Sequence, residues 1–235
     1  MRIKKAILKI SGEVLAGEKG IGVDEGCLSY VAREISSCQK TGVQIAVIVG
    51  GGNFFRGAEE KISLLNRVEA DLIGITATVM NALLLKGTFD SLGIHSKVFS
   101  RVAVEKIAER YTVEKANQSL SDGKITLIAG GTGNPFFTTD TAAALAAAEL
   151  NAGVLIKATK VDGVYSKDPM KYKDAKKYDF ITYEEAISRK LKIMDISAFS
   201  LCMERHIKIM VLNLRKRGNI LNALTGKKVG TTVGG

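Results

Sequence analysis

Short apolar runs rich in β-branched residues alternate with stretches of helical spacing along this chain, and this alternation limits the fold more than any other feature. Six of these runs are predicted strands, at residues 3–10, 43–49, 97–102, 124–129, 154–158 and 207–212. Strands separated by helices are typical of a mainly parallel sheet that is covered by helices on both faces. The sequence therefore predicts an α/β protein.

The stretches between the strands carry helix signals at their ends. Residues 24–40 bear an apolar stripe, with Asp24 as the predicted N-cap and Gly42 just past the end. A capping-box pattern at residues 182–185 predicts the start of a second helix. The alanine-rich run at residues 142–148 strongly favours a third.

The chain has 235 residues, 46% of them hydrophobic, which is enough to bury a sizeable core. Chains of this size form one large domain or two small ones. Neither a low-complexity linker nor an internal repeat divides the sequence. We therefore expect a single domain over residues 1–235.

The formal net charge is +10, from 34 Lys and Arg against 24 Asp and Glu. Such a balance favours an anionic partner, which could be nucleic acid, a membrane surface or a small phosphorylated ligand. The alternative is that the charge serves only general solubility. The basic residues are mostly scattered, and the chain has no Trp with which to build a stacking surface for single strands. Small anions fit this pattern best, and we expect no nucleic-acid partner.

The cysteines and histidines exclude several kinds of site. The chain has three cysteines, Cys27, Cys38 and Cys202, and they form no CxxC motif. A disulfide framework or a zinc site is therefore not expected, and the protein is expected in a reducing cytoplasm. His95 and His206 stand alone, which gives no support to a catalytic Ser/His/Asp triad.

The beginning of the chain, MRIKKAILKI, lacks the long apolar core and the cleavage site of a signal peptide and is predicted as a strand. The longest apolar runs are far shorter than the roughly 20 residues of a membrane helix. We expect no membrane partner.

Four polar loops directly follow predicted strands: SGE at 11–13, GGGN at 50–53, GGTGN at 130–134 and ATKVDG at 158–163. Tight turns between strand and helix need glycine for conformational reasons alone, so that a single loop of this kind means little. Four of them meet at the carboxyl edge of a parallel sheet, where ligands bind in such folds. They predict one composite ligand site.

The common phosphate-binding motifs are absent. Gly12 and Gly17 have the spacing of a P-loop, but Glu18 stands where that motif needs its lysine. The GxGxxG fingerprint and the protein-kinase signatures are also missing. Phosphate must be bound in another way.

Phosphoryl transfer needs cations and backbone N–H groups around the transferring group, with two substrates in line. Lys9 and Lys157 lie at strand ends, and residues 50–52 can bring backbone amides to phosphate with Arg56 nearby. Asp140 opens the alanine-rich helix, where it could equally serve only to complement the helix dipole.

Five strings together resemble the uridylate kinases of bacteria, which belong to the amino acid kinase superfamily. They are KISGE (9–13), GGGNFFRG (50–57), GGTGNPFFTTD (130–140), KATKVDGVYSKDP (157–169) and MDISAF (194–199). The third string is specific to uridylate kinases. The resemblance implies a three-layer αβα sandwich with a mainly parallel central sheet, and the reaction of ATP and UMP to give ADP and UDP. It also implies that the N-terminal part binds mainly UMP and the C-terminal part mainly ATP.

By resemblance, the catalytic residues are Lys9, Lys157 and Asp140, where the lysines stabilise the transferring group and the aspartate organises them. The residues implied for ATP are Lys9, Ile10, Ser11, Gly12, Gly52, Arg56, Thr159, Tyr165 and Asp168. Tyr165 could also be a packing residue, and Asp168 an ordinary turn residue. No dedicated metal ligands are implied, and Mg²⁺ is expected to arrive with ATP.

The residues implied for UMP are Gly51, Asp71, Thr132, Gly133, Asn134, Pro135, Phe136, Phe137, Thr138 and Thr139. Without the resemblance, Asp71 would be interpreted as an N-cap or a solvated charge. One of the two phenylalanines could pack in the core instead of shaping the nucleoside pocket.

The segment Gly17, Glu18, Lys19, Gly20, Ile21 and Gly22 matches the one that is associated with activation by GTP in many uridylate kinases. Inhibition by UTP and a homohexamer are further expectations from the resemblance. Three alternatives remain open: another kinase of the superfamily acting on a carboxylate or carbamate, a non-enzymatic protein that binds or stores nucleotides or oxyanions, and a nucleic-acid-binding protein.

Overall fold

A computed structural model describes residues 3–55, 64–169 and 171–235. The strands are β1 (Lys5–Ile10), β2 (Gln44–Val49), β3 (Ser96–Ser100), β4 (Glu109–Arg110), β5 (Ile125–Ala129), β6 (Val154–Thr159), β7 (Phe180–Ile181), β8 (Lys208–Asn213) and β9 (Thr231–Val233). The helices are α1 (Gly12–Leu15), α2 (Glu25–Gln39), α3 (Arg67–Ser91), α4 (Val113–Ser121), α5 (Thr139–Glu149), α6 (Tyr183–Ser188), α7 (Ile196–Glu204) and α8 (Asn219–Leu224).

The strands form one sheet in the order β4-β3-β5-β2-β1-β6-β8-β9-β7. Every pairing is parallel except the one between β8 and β9. Strands from the first half of the chain fill one side of the sheet and strands from the second half fill the other. The two sides meet where β1 pairs with β6.

The core has two layers because successive residues of a strand point to opposite faces. On β1, Leu8 and Ile10 pack with α2, α3 and α8 on one face, whereas Ile7 packs with α4 to α7 on the other. The expected three-layer αβα sandwich is thereby confirmed. Lys9 shares its face with Ile7, which turns it toward α5.

Local signals fixed the helices that the sequence predicted. Asp24 caps α2 by accepting the N–H of Cys27, and Thr182 caps α6 by accepting the N–H of Glu185. The six predicted strands all form, with ends shifted by at most two residues.

Helix α3 is long and apolar enough to cross a membrane by length and composition, and 44% of its most apolar window is buried inside the protein. The sequence-based expectation of no membrane span rested on the length of uninterrupted apolar runs. Polar residues interrupt α3, so that this helix contains no long apolar run although its mean hydropathy is high. Core helices of soluble proteins meet the same criterion, so that the finding alone is weak evidence for a membrane.

Candidate active site

Two lysines and one aspartate form the centre of the site. Lys9 on β1 and Lys157 on β6 are direct partners in the parallel pairing of these strands, so that both side chains leave the same face of the sheet. Asp140, in the first turn of α5, lies between them: Lys9 Nζ is 2.9 Å from Oδ1 and Lys157 Nζ donates to Oδ2 at 2.6 Å. Lys157 also donates to the carbonyl oxygen of Ile193 at 2.7 Å.

Burial and charge oppose one another in this group. Burial alone would raise the pKa of the Asp140 carboxyl, but the ammonium groups of Lys9 and Lys157 outweigh it and hold that pKa below its ordinary value. Burial lowers the pKa of Lys157, Asp140 opposes this shift, and Lys9 adds to it. The aspartate is therefore ionised, and it favours the charged form of Lys157.

The first glycine loop lies directly beside the end of β1. Ile10 is fully buried at the end of this strand, Ser11 is the N-cap of α1, and Gly12 begins α1. A Cβ on Gly12 would lie 2.4 Å from the carbonyl oxygen of Gly50, so that any side chain here would push the two loops apart.

Gly51 packs against α3. A Cβ at this position would lie 2.6 Å from the carbonyl oxygen of Gly74 and 2.7 Å from Cβ of Ala77. Packing alone thus requires a glycine, and it also fixes the height of the loop above the sheet. Gly52 follows, half-buried, whereas the predicted ligand residue Arg56 lies outside the described residues.

The loop from β5 to α5, residues 130–138, projects from the same edge. Its Phe136 has φ of +72° and donates its backbone N–H to Asp71 Oδ2 at 2.8 Å. Asp71 also accepts Nε of Arg67, and it is not an N-cap because Asn66 caps α3. The structure thus brings Asp71 together with the predicted nucleoside loop.

Phe136 and Phe137 are 64% and 50% exposed. The alternative that one of them packs in the core is therefore wrong. Thr132 and Asn134 bond to one another within the loop, through the Thr132 hydroxyl. Thr138 is the N-cap of α5.

A cavity of about 490 Å³ opens on the other side of the lysine pair. Lys157 lines it, and so do three residues that the sequence assigns to ATP, namely Thr159, Tyr165 and Asp168. The predicted donor residues from the second half of the chain therefore share one cavity with Lys157.

Three further residues position the loops and were not predicted. On α3, Thr78 accepts the N–H of Gly130 at 2.9 Å, and Asn81 donates to the carbonyl oxygen of Gly50 at 2.7 Å. Asn81 and Asn53 also exchange two hydrogen bonds, of 2.7 and 3.1 Å. All three side chains are buried. Only Asn53 gave a signal, as part of the GGGN string.

Asp195, from the MDISAF string, was quoted without a role. It caps α7, accepts the hydroxyl of Thr141 at 2.9 Å and accepts that of Thr138. It thus ties α7 to the first turn of α5, which carries Asp140.

Residues 17–22 lie against the glycine loop. They contain a 3-10 turn, Gly17–Lys19, and positive φ angles at Gly17, Gly20 and Gly22. Gly22 exchanges hydrogen bonds with Asn53: its N–H donates to the Asn53 carbonyl at 2.7 Å, and its carbonyl accepts Nδ2 of Asn53 at 2.8 Å.

No group of three or more His, Cys, Asp or Glu residues forms a metal cage in the part of the chain that the structure describes. Two lysines with a shared aspartate, beside glycine loops at the carboxyl edge of a parallel sheet, define a protein that transfers or binds phosphoryl groups. The sequence pattern of the amino acid kinase family matches residues 4–213. The chain belongs to this family.

Solved structures place it near one branch of the family. UMP kinase from Bacillus anthracis is 32% identical with a TM-score of 0.96, covering 100% of this chain and 97% of that one. UMP kinase from Ureaplasma parvum is 31% identical with a TM-score of 0.93, and each chain is covered completely. Uridylate kinase from Archaeoglobus fulgidus is 29% identical with a TM-score of 0.73, covering 97% and 99%. The resemblance to uridylate kinases is confirmed.

Proposed function

We propose that this chain is a UMP kinase, which transfers the terminal phosphoryl group of ATP to UMP and gives ADP and UDP. The observation that carries the proposal is the pair Lys9 and Lys157, adjacent on β1 and β6 and bridged by Asp140. The amino acid kinase family and its UMP kinase neighbours support the choice of reaction and acceptor.

The chemistry needs no general base. The phosphate of UMP is an oxyanion at neutral pH, and one of its oxygens attacks the terminal phosphorus of ATP while the bond to the bridging oxygen breaks. Negative charge then spreads over the transferring group, and positive groups that are already in place stabilise it without reorganisation. Lys9 and Lys157 supply these charges, and Asp140 holds both ammonium groups in position.

The two substrates approach from opposite sides of the lysine pair. UMP is assigned to Gly51, Asp71 and the loop of residues 132–139, where the exposed rings of Phe136 and Phe137 would cover the nucleoside. ATP is assigned to residues 9–12 and to the cavity with Thr159, Tyr165 and Asp168. Support comes from the sheet order, which places first-half strands beside one lysine and second-half strands beside the other.

Mg²⁺ would reach the site on the phosphates of ATP, where it would neutralise part of their charge. The carboxylate between the two lysines, that of Asp140, already forms ion pairs with both of them. Phosphate oxygens of ATP and water molecules would therefore supply most of the metal's ligands, since Mg²⁺ gives up its water reluctantly.

The remaining expectations concern biology and regulation. A UMP kinase serves pyrimidine nucleotide biosynthesis in the cytoplasm, and the resemblance to uridylate kinases favours a homohexamer with activation by GTP and inhibition by UTP. The contact of residues 17–22 with Asn53 supports a role for this segment near the phosphate loop. Light scattering on the full chain, with and without GTP, tests the assembly.

An acceptor panel tests the reaction. ADP formation is measured with UMP, CMP, GMP and AMP, and we expect fast turnover with UMP alone. Brisk turnover of another acceptor without UMP turnover would overturn the assignment. UMP binding that survives Lys9→Ala with unchanged turnover would contradict the role of Lys9, and UMP binding without any turnover would favour a storage protein.

A further inference from the structure

A second concentration of positive charge lies away from the active site. A cavity of about 1170 Å³ lies at the opposite edge of the sheet, where the first residues of three parallel strands line it: Lys5 of β1, Val154 of β6 and Lys208 of β8. The catalytic lysines lie toward the carboxyl ends of the same strands. The proposed kinase reaction therefore leaves this cavity without a role.

Lysines dominate the lining of this cavity. Six lysines face one carboxylate, that of Asp179; the lysines are Lys4, Lys5, Lys177, Lys208, Lys227 and Lys228. Six positive charges against one negative charge leave a surplus of five, which is half of the net charge of +10 that the whole chain carries. A surplus of this size in one concave place focuses the electrostatic potential on an anion.

Helix ends explain part of this charge but not all of it. Asn151, His206 and Gly226, which lie just beyond α5, α7 and α8, also line the cavity. The C-terminal end of each helix carries roughly half a negative charge, so that lysines are expected nearby. Lys5 compensates the C-terminal end of α5, because its Nζ donates to the carbonyl oxygen of Leu150 at 2.7 Å.

Four lysines remain after the local partners are counted. Lys177 pairs with Asp179 at 3.4 Å, whereas no ion pair with a described residue is found for Lys4, Lys208, Lys227 or Lys228. The two other helix ends offset about one of these four charges. About three positive charges thus face the cavity without compensation.

The walls between the lysines are apolar. Ile3, Val154, Phe180, Met210 and Val229 contribute to them, and the ring of Phe180 is 57% exposed. Because the surface is concave, a small molecule can enter it and contact both the lysines and these side chains, whereas a rigid nucleic-acid duplex would meet only its rim. We propose that the cavity is a second ligand site, which binds a small soluble phosphate ester with its phosphates at the lysines and its apolar or planar body against Phe180 and Met210.

A dye with the same combination of groups provides the first test. 8-Anilinonaphthalene-1-sulfonate joins one anionic group to an aromatic body and fluoresces in apolar surroundings. Its Kd is measured on the full chain with saturating UMP, and inorganic tripolyphosphate is then added as a competitor. We expect tripolyphosphate to displace the dye from the wild-type protein, and fluorescence that does not respond to tripolyphosphate contradicts the proposal.

Two variants attack the site by independent means. Lys227→Glu combined with Lys228→Glu reverses the charge, and Gly153→Phe blocks space, since a Cβ on Gly153 meets no atom within 4 Å. The matched control is Lys40→Glu combined with Lys106→Glu, an equal charge change at exposed lysines outside the lining. We expect the dye Kd to rise about tenfold or more in both site variants, since attraction becomes repulsion or the space is filled, and to stay unchanged in the control.

Equal dye Kd values in the control and in both site variants would overturn the proposal. Sedimentation of the protein with phosphatidylglycerol vesicles that depends on these lysines would also overturn it, because the ligand would then be a membrane surface. Thermal melting establishes that each variant is folded. Because the cavity lies opposite the active site, turnover with UMP should persist in all variants. The binding result is separate from turnover, so that failure of the kinase assignment would leave it interpretable.

Discussion

Asp140 allows two lysines to face each other across adjacent strands near the protein interior. Without it, two buried ammonium groups would repel each other, and burial would favour the loss of a proton. A buried ion pair is weak evidence for stability, because the cost of desolvation offsets most of the attraction. The group is therefore better explained by chemistry, since it keeps two positive charges in place before the substrates arrive.

Replacing Lys157 with alanine should lower kcat about a hundredfold or more, with a smaller effect on UMP binding, because its charge acts chiefly on the transferring group. Steady-state kinetics and UMP titration measure the two effects separately. Lys97→Ala, which removes a half-buried lysine of β3 that pairs with Glu109, is the control and should leave kcat unchanged. Equal losses of binding and rate, or no loss, would show that Lys157 has another role.

Replacing Asp140 with asparagine should lower turnover and also change its pH dependence. The charge of Asp140 raises the pKa of Lys157, while burial and Lys9 lower it from 10.5. Loss of the carboxylate therefore lowers this pKa further, and the alkaline fall of kcat/KM, which reports the free enzyme, moves to lower pH. Ionisation of the substrates is common to both proteins and cancels. An unmoved alkaline limb with full activity would reduce Asp140 to a partner of the helix dipole.

At the scale of elements, α3 holds together the loops of the proposed acceptor side. Asp71, Thr78 and Asn81 are spaced by seven and three residues, which places them on one face of the helix. They bond to Phe136, Gly130 and Gly50 in turn. One helix therefore sets the distance between the loop that begins at Gly50 and the loop of residues 130–138.

Replacing Asn81 with aspartate should lower kcat/KM for UMP about tenfold to a hundredfold, since a buried carbonyl loses its donor at a cost of about 1–3 kcal/mol. Aspartate keeps the acceptor for Nδ2 of Asn53 but loses both donors, so that the carbonyl oxygen of Gly50 and Oδ1 of Asn53 are left unpaired beside a carboxylate. The control is Thr76→Val on the same helix, where the hydroxyl is exposed and donates to the carbonyl oxygen of Leu72. If kcat/KM for UMP is unchanged in a folded Asn81→Asp protein, the loop does not depend on this bond.

The sequence predicted those elements whose signals are local. The six long strands, the cap of α2 at Asp24 and the motif loops followed from apolar runs, caps and spacing, and all of them form. The predictions missed β4, β7 and β9, which have two or three residues each, because so short a run has no periodicity. Asn81 and Thr78 were missed as well, since their partners lie 31 and 52 residues away and no motif contains them.

At the scale of the molecule, the order of the strands decides where the two proposed substrate sites meet. Strands β1 to β5 lie on one side and β6 to β9 on the other, and the boundary is the pair formed by β1 and β6. Lys9 and Lys157 lie opposite each other on this boundary. The sheet thus places Lys9 and Lys157 between the proposed acceptor loops of the first half and the proposed donor cavity of the second.

This division predicts that the two ligands stabilise the protein through separate residues. At a hundred times its Kd, a ligand adds about 2.7 kcal/mol to the free energy of unfolding, which raises the Tm of a chain of this size by about 5–10 °C. Asp71→Asn should reduce the shift with UMP and leave that with ATP intact, whereas Tyr165→Ala, in the cavity near Lys157, should do the reverse. Each variant is the control for the other in the same thermal denaturation assay. If either substitution reduced both shifts equally, the halves of the sheet would not bind separate substrates, and the meeting of donor and acceptor at β1 and β6 would need another explanation.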